Sequence, residues 1–172
     1  MTDAAAYNRH AMAQQRSDKK TTKSGNAKLK RLRNLARNAI AMVRNCDPED
    51  IDDITGCGSL IMPVYSTLVL VLAAVNPTRI LLKAKMLEGC VDEDLATSLL
   101  DEVNHGLEYG EMLYKEGEIT YHFTLEIEDP TVDDLAPVIA SFSETADLLG
   151  ERLKARLGGN TALDRADDEV WL

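Results

Sequence analysis

The sequence predicts an α+β domain: a mostly antiparallel sheet with helices on one face, in the order α-β-β-β-α-β-β-α. Three observations predict it. Residues 118–127 (EITYHFTLEI) alternate apolar and polar side chains for ten positions, the two-residue period of a half-buried strand. Residues 58–87 are rich in aliphatic and β-branched residues broken by turn signals. Residues 131–157 carry Leu135, Ile139, Phe142, Ala146, Leu149, Leu153 and Leu157 at three- and four-residue spacing, the stripe of a long amphipathic helix.

Each element follows from its own residues. In KLKRLRNLARNAIAMVRN (28–45), Leu29, Leu32, Ala36, Ala39 and Val43 repeat at helical spacing, Leu35 and Ile40 widen the stripe, and basic residues fill much of the other side. Asp47-Pro48 ends that helix, because proline cannot donate within it and restricts the residue before it. PEDIDDITGCG (48–58) then reads as a loop or short helical turn. Strands are expected near 58–65, 67–75 and 78–87, with Asn76-Pro77-Thr78 as the turn between the last two. Pro63 suits an edge strand, since it removes a ladder donor. Leu68–Leu72 is apolar throughout, so this strand is expected to be covered on both faces or to lie against a partner.

Asp92 is the expected N-cap of a helix over 92–105 whose buried stripe is Leu95, Leu99, Leu100 and Val103, and Gly106 ends it. YGEMLYKEG (109–117) is a strand running into a turn at Glu116-Gly117, and 118–127 returns antiparallel to it. Ile119, Tyr121, Phe123, Leu125 and Ile127 then face the helices, each contributing roughly 1.5–3 kcal/mol on burial. Pro130 stops that strand, Thr131 or Asp129 caps the long helix, Pro137 lies where proline can bend its early part, and Gly158-Gly159 ends it.

At 172 residues the chain is one domain with room for tails: a basic tail over 1–26, the α+β domain over 27–159, and an acidic tail over 160–172. Residues 1–45 hold eleven Lys or Arg against Asp3 and Asp18, whereas 46–172 hold eight against twenty-seven Asp or Glu. A basic arm on an acidic body can bind nucleic acid through Lys28, Lys30, Arg31, Arg33 and Arg37, or lie on its own body or a neighbour's. No apolar run reaches the length of a membrane span, and the N-terminus lacks the pattern of a secretory signal. Cys46, Cys57 and Cys90 fit neither a zinc pattern nor a disulfide framework, so a reducing cytoplasm is the expected location.

Catalytic chemistry finds little support. His10 lies in the tail and His105 at a helix end favoured by the dipole. His122 shares a polar strand face with Glu118, Thr120, Thr124 and Glu126, but no second histidine joins it for a metal. Cys57 has no identifiable base, GCG lacks the lysine and further glycine of a phosphate loop, and the acidic runs lack calcium-loop spacing. No enzyme activity, cofactor or metal is expected. Apolar surface on the strands and long helix points instead to association with itself or a client.

The second half carries a further pattern. Leu99-Leu100 and Asn104 at a helix end, Gly110, the hairpin 111–127 and Ala146-Asp147-Leu148-Leu149 resemble the YbjN / type III secretion chaperone-like superfamily, most clearly over 95–159. That resemblance implies a small acidic cytoplasmic bacterial protein, often dimeric, that binds other proteins and has no catalytic centre. The expectation is therefore a non-enzymatic, chaperone-like or regulatory homodimer that binds a protein client. Leu68, Leu70, Val71 and Leu72 are the candidate interface because that strand's centre is wholly apolar. Leu95 and Leu99 on the 92–105 helix follow by analogy with the superfamily. A nucleic-acid-associated regulator using the basic arm is the alternative.

Overall fold

The computed structural model describes residues 25–51, 53–54, 59–63, 68–75, 78–161 and 164. Helix α1 covers 25–44. A single 3-10 turn, Pro48–Asp50, leads to six strands: β1 (Asp53–Ile54), β2 (Ser59–Pro63), β3 (Leu68–Ala74), β4 (Arg79–Glu88), β5 (Glu111–Lys115) and β6 (Glu118–Glu126). Helix α2 (Glu93–Asn104) separates β4 from β5, and α3 (Val132–Leu157) follows β6. The expected order holds, with one addition: the segment read as a loop contains the two-residue strand β1, too short to leave a periodic signal.

The sheet order is β1-β2-β3-β4-β6-β5, and every neighbouring pair is antiparallel. β6 therefore sits between β4 and its own hairpin partner β5. Period-two alternation puts Val69, Val71, Ile80, Leu82, Ala84, Met112, Ile119 and Tyr121 into the core. The register of β4 on β6 shifts between Lys85 and Leu87, and both Met86 and Leu87 are buried. A bulge explains two consecutive buried residues, because the extra residue breaks strict alternation.

Leu32, Ala36, Ala39 and Ile40 of α1 and Leu135, Ile139, Phe142, Ala146 and Leu153 of α3 fill the other side of that core. The Tyr121 and Phe142 rings stack with centroids 4.0 Å apart and planes 6° from parallel. The Tyr121 hydroxyl donates to the Tyr109 carbonyl at 2.6 Å, and burial pushes its pKa up to about 12. Thr131, rather than Asp129, caps α3. Its hydroxyl accepts from the Asp134 amide while the Asp134 carboxylate accepts from the Thr131 amide, a reciprocal box. In α2 the sequence reading needs one correction. Leu95, expected in the buried stripe, is 43% exposed, and Ala96 lies in the core with Leu99 and Leu100. Asp92 caps the helix through the Leu95 amide, and with Ala96, Leu99 and Leu100 packed inward Leu95 points outward.

The packed structure continues past Gly159. β3 pairs with β4 only as far as Ala84, and beyond that point Asn160 exchanges two backbone hydrogen bonds with Glu88, at 3.0 and 2.8 Å. Thr161 is 2% exposed, and the Asp164 carboxylate accepts from the Thr161 amide (2.6 Å), the Thr161 hydroxyl (2.9 Å) and the Lys154 ammonium (2.6 Å). Those donors, Lys154 foremost, pull the Asp164 pKa down to about 2. A depressed carboxylate stabilises the folded form above its ordinary value of about 4 and loses that contribution as pH falls through its folded value. Acidifying from about 4 toward about 2 should therefore release this strap. Hydrogen exchange at the Asn160 and Thr161 amides should accelerate across that window while the Tyr121 amide stays protected.

Candidate functional site

The opposite face of the sheet is where the structure places exposed apolar and polar side chains together. Alternation turns Leu70 and Leu72 of β3, Leu81 of β4 and Leu113 of β5 away from the buried layer, and all four are exposed or half-buried. Cross-strand register arranges them in rows: Leu70, Lys83, His122 and Glu111 in one, Leu72, Leu81 and Thr124 in the next, and Lys85 and Thr120 with Leu113 in a third. The aliphatic half of this face is thus Leu70 and Leu72 of β3 with Leu81 of β4, and the polar half is made by Lys83 and Lys85 of β4 with β6 and β5, among which Leu113 is the apolar exception.

Several charges on the polar half are mutually engaged. Lys85 Nζ lies 2.8 Å from Glu118 Oε2 and 2.6 Å from Glu88 Oε2. The hydrogen bond to Glu118, followed by that to Glu88, raises the Lys85 pKa. His122 Nε2 is 3.8 Å from Glu111 Oε1, an ion pair only when the imidazole is protonated. Among the described residues no group of three or more His, Cys, Asp or Glu is placed to hold a metal. The Cys90 thiol is buried and its pKa raised by that burial, which suppresses the reactive thiolate; Cys57 lies outside the described residues.

The six apolar candidates from the sequence divide among three environments. Leu70 and Leu72 lie half-buried on the open face, whereas Val71, 1% exposed, points into the core between them. Leu68 begins β3, but its side chain lies outside the described ones. Leu95 is on the surface of α2 and Leu99, 5% exposed, is beneath it. Of the basic candidates, Lys28, Lys30 and Arg31 are exposed, Arg31 lying 3.8 Å from Asp129, while Arg33 and Arg37 are half-buried. The two sets occupy separate parts of the molecule. Sequence reasoning missed Leu81 and Leu113, although Lys83 and Lys85 mark the outward parity of β4 once it is paired with β3.

Two residues of the quoted pattern acquire physical roles. Asn104, at the end of α2, donates from Nδ2 to the Met112 carbonyl (2.9 Å) and accepts from the Met112 amide at Oδ1 (2.7 Å). Its carboxamide therefore binds β5 as a neighbouring strand's peptide group would and fastens α2 to the sheet. Asn104→Ala should cost about 1–3 kcal/mol, since two partly buried backbone groups lose their partners. Urea unfolding measures that loss, and exchange at the Met112 amide should accelerate more than the global change accounts for. Gly110 adopts φ +74°, and a Cβ there would collide with the His122 carbonyl oxygen.

Among the described residues, a six-stranded antiparallel sheet is buried on one face beneath helices and has an aliphatic and hydrogen-bonding face left open, the architecture of chaperone-like protein-binding domains. The chain belongs to the TY-Chap1 family, described as T3SS (YopN, CesT) and YbjN peptide-binding chaperone 1, whose model matches residues 31–165. Among solved structures, a chain of the ExsC–ExsE complex superposes with a TM-score of 0.52 at 16% identity, covering 71% of this chain and 92% of that one. YbjN from E. coli gives a TM-score of 0.48 at 12% identity, covering 69% and 90%. At 16% identity the likeness to the chain of the ExsC–ExsE complex is one of fold alone. No curated protein sequence matches the chain. Among the described residues no helix is long and apolar enough to cross a membrane.

Proposed function

We propose that this protein is a non-enzymatic, cytoplasmic chaperone that holds an extended segment of a protein client across its open sheet face, acting as a homodimer. The observation that carries this reading is the aliphatic patch of Leu70, Leu72 and Leu81, beside a row of Thr and charged side chains, in a chain whose family is described as peptide-binding. An extended peptide presents alternate side chains to such a patch and its own polar groups to the neighbouring hydroxyls and charges. Patches of this kind on soluble proteins mark places where something binds.

Leu72→Asp/Leu81→Asp tests it directly. Both positions are half-buried and directly opposite each other, so the facing carboxylates should lower the Tm while the circular dichroism spectrum keeps its native shape, and desolvating the two carboxylates should abolish client retention. A photo-crosslinker at position 124, read in the native host, should give discrete protein adducts that this double variant loses. Adducts unaffected by the double change would reject the face as the site. Size-exclusion chromatography with light scattering reads the assembly: a monomer at high protein concentration would reject the homodimer.

A further inference from the structure

We propose that the client segment held on the open face is acidic as well as aliphatic: its same-side residues read acidic, aliphatic, acidic, to meet Arg79, Leu81 and Lys83 along β4. This deepens, and rests on, the reading of that face as the client site. In β4 the buried Ile80 and Leu82 alternate with Arg79, Leu81 and Lys83, so these three share the outer face. Successive members stand about 7 Å apart along the strand. Cross-strand neighbours widen the centre, with Leu72 opposite Leu81 and Leu70 opposite Lys83. The aliphatic patch is therefore bracketed along β4 by two cations.

Those two cations are the unsatisfied ones beside the patch. Among the described residues neither Arg79 nor Lys83 takes part in an ion pair. Lys83 is exposed, and Arg79 is half-buried with its Nε enclosed and without a hydrogen-bond partner. By contrast, Lys85 is neutralised by Glu118 and Glu88, and His122 lies beside Glu111. Glu126 is opposite Arg79 in register without pairing to it, and tempers that end, so Lys83 carries the stronger selection. An extended segment laid along β4 repeats the same spacing in its own alternate side chains. One register then sets an aliphatic residue over Leu81 and Leu72 and carboxylates over Arg79 and Lys83, and a guanidinium grips a carboxylate with paired bonds. Basic residues in those places would bring like charges together. The net charge of the chain points the other way, because at −10 it attracts basic peptides from a distance. A preference for the acidic segment therefore reports the local pattern and not the overall field.

Three fluorescein-labelled peptides of one length test this by fluorescence polarisation with the full chain. Their same-side positions read Glu-Leu-Glu, Gln-Leu-Gln or Lys-Leu-Lys, with serine between. The Glu peptide should bind about three- to tenfold tighter than the Gln peptide, with the Lys peptide weakest. Added salt should shrink that difference, since pairs at exposed sites are screened. Lys83→Gln should narrow the order, and Lys83→Glu should invert it in favour of the Lys peptide. Lys83 is exposed, so the circular dichroism of both variants should stay native. Equal affinity for all three peptides, or an order that Lys83→Glu leaves unchanged, overturns the acidic pattern while the face stands as a client site. So does tightest binding of the Lys peptide to the parent chain. Binding of none of the three rejects the open face itself, and this inference with it.

Discussion

Replacing Phe142 by alanine should cost about 3–5 kcal/mol of unfolding free energy, the largest loss expected from a single core side chain here. Phe142 is fully buried at the centre of α3 and lies flat on Tyr121, whose own hydroxyl is tied to the Tyr109 carbonyl. Truncation therefore removes the ring's transfer energy, leaves a cavity between α3 and the middle of the sheet, and takes away the stacking partner of Tyr121. Domains of this size are stable by about 5–15 kcal/mol, so the loss is a large part of the total. Urea titration should show the midpoint falling with little change in slope. Phe142→Leu, which keeps aliphatic bulk, should cost less. A loss below about 1 kcal/mol for the alanine variant would mean that α3 does not pack as described.

Gly110→Ala should be the most damaging change that adds only a methyl group. The backbone at 110 has φ +74°, a left-handed conformation that costs an L-residue about 1–2 kcal/mol by itself. The new Cβ would also strike the His122 carbonyl and crowd the Phe123 Cβ, and both belong to β6, which is paired on both sides by β4 and β5, so neither can move without disturbing the sheet. The two penalties together should exceed about 2 kcal/mol. Gly106→Ala is the internal control: its Cβ would meet only the Val103 carbonyl, at an ordinary 3.6 Å, and its stability should be nearly that of the parent. Equal behaviour of the two variants in urea would refute the close approach of 110 to β6.

Much of this architecture is legible in the chain because its strongest signals are periodic. The α3 stripe and the alternation of 118–127 each specify an element and the side it buries, and the α1 stripe does the same with Leu32, Ala36, Ala39 and Ile40. β3 is different. Leu68–Leu72 is apolar at every position, so nothing local distinguishes Leu70 and Leu72, which face outward, from Val71, which faces the core. Only pairing with β4, where Lys83 and Lys85 mark the outer parity, sets the two sides apart. Leu95 and Ala96 illustrate a related limit: hydrophobicity alone favours burying the leucine, but the side of α2 that packs inward carries Ala96, Leu99 and Leu100 and leaves Leu95 at the surface. Asn104 is visible as a letter in the sequence, whereas its double bond to Met112 depends on bringing α2 and β5 together.

The Asn104 carboxamide also bears on how copies of this domain avoid sticking together. β5 is an outermost strand, and an outermost strand invites the next chain to pair with it, the first step of fibre growth. Here a side chain has taken up the donor and acceptor at Met112 before any visitor arrives. A strand approaching from that side in register would meet an amide already in place and would have to dislodge α2 to proceed. A domain with this exposed edge thus carries its own safeguard against polymerising through β5.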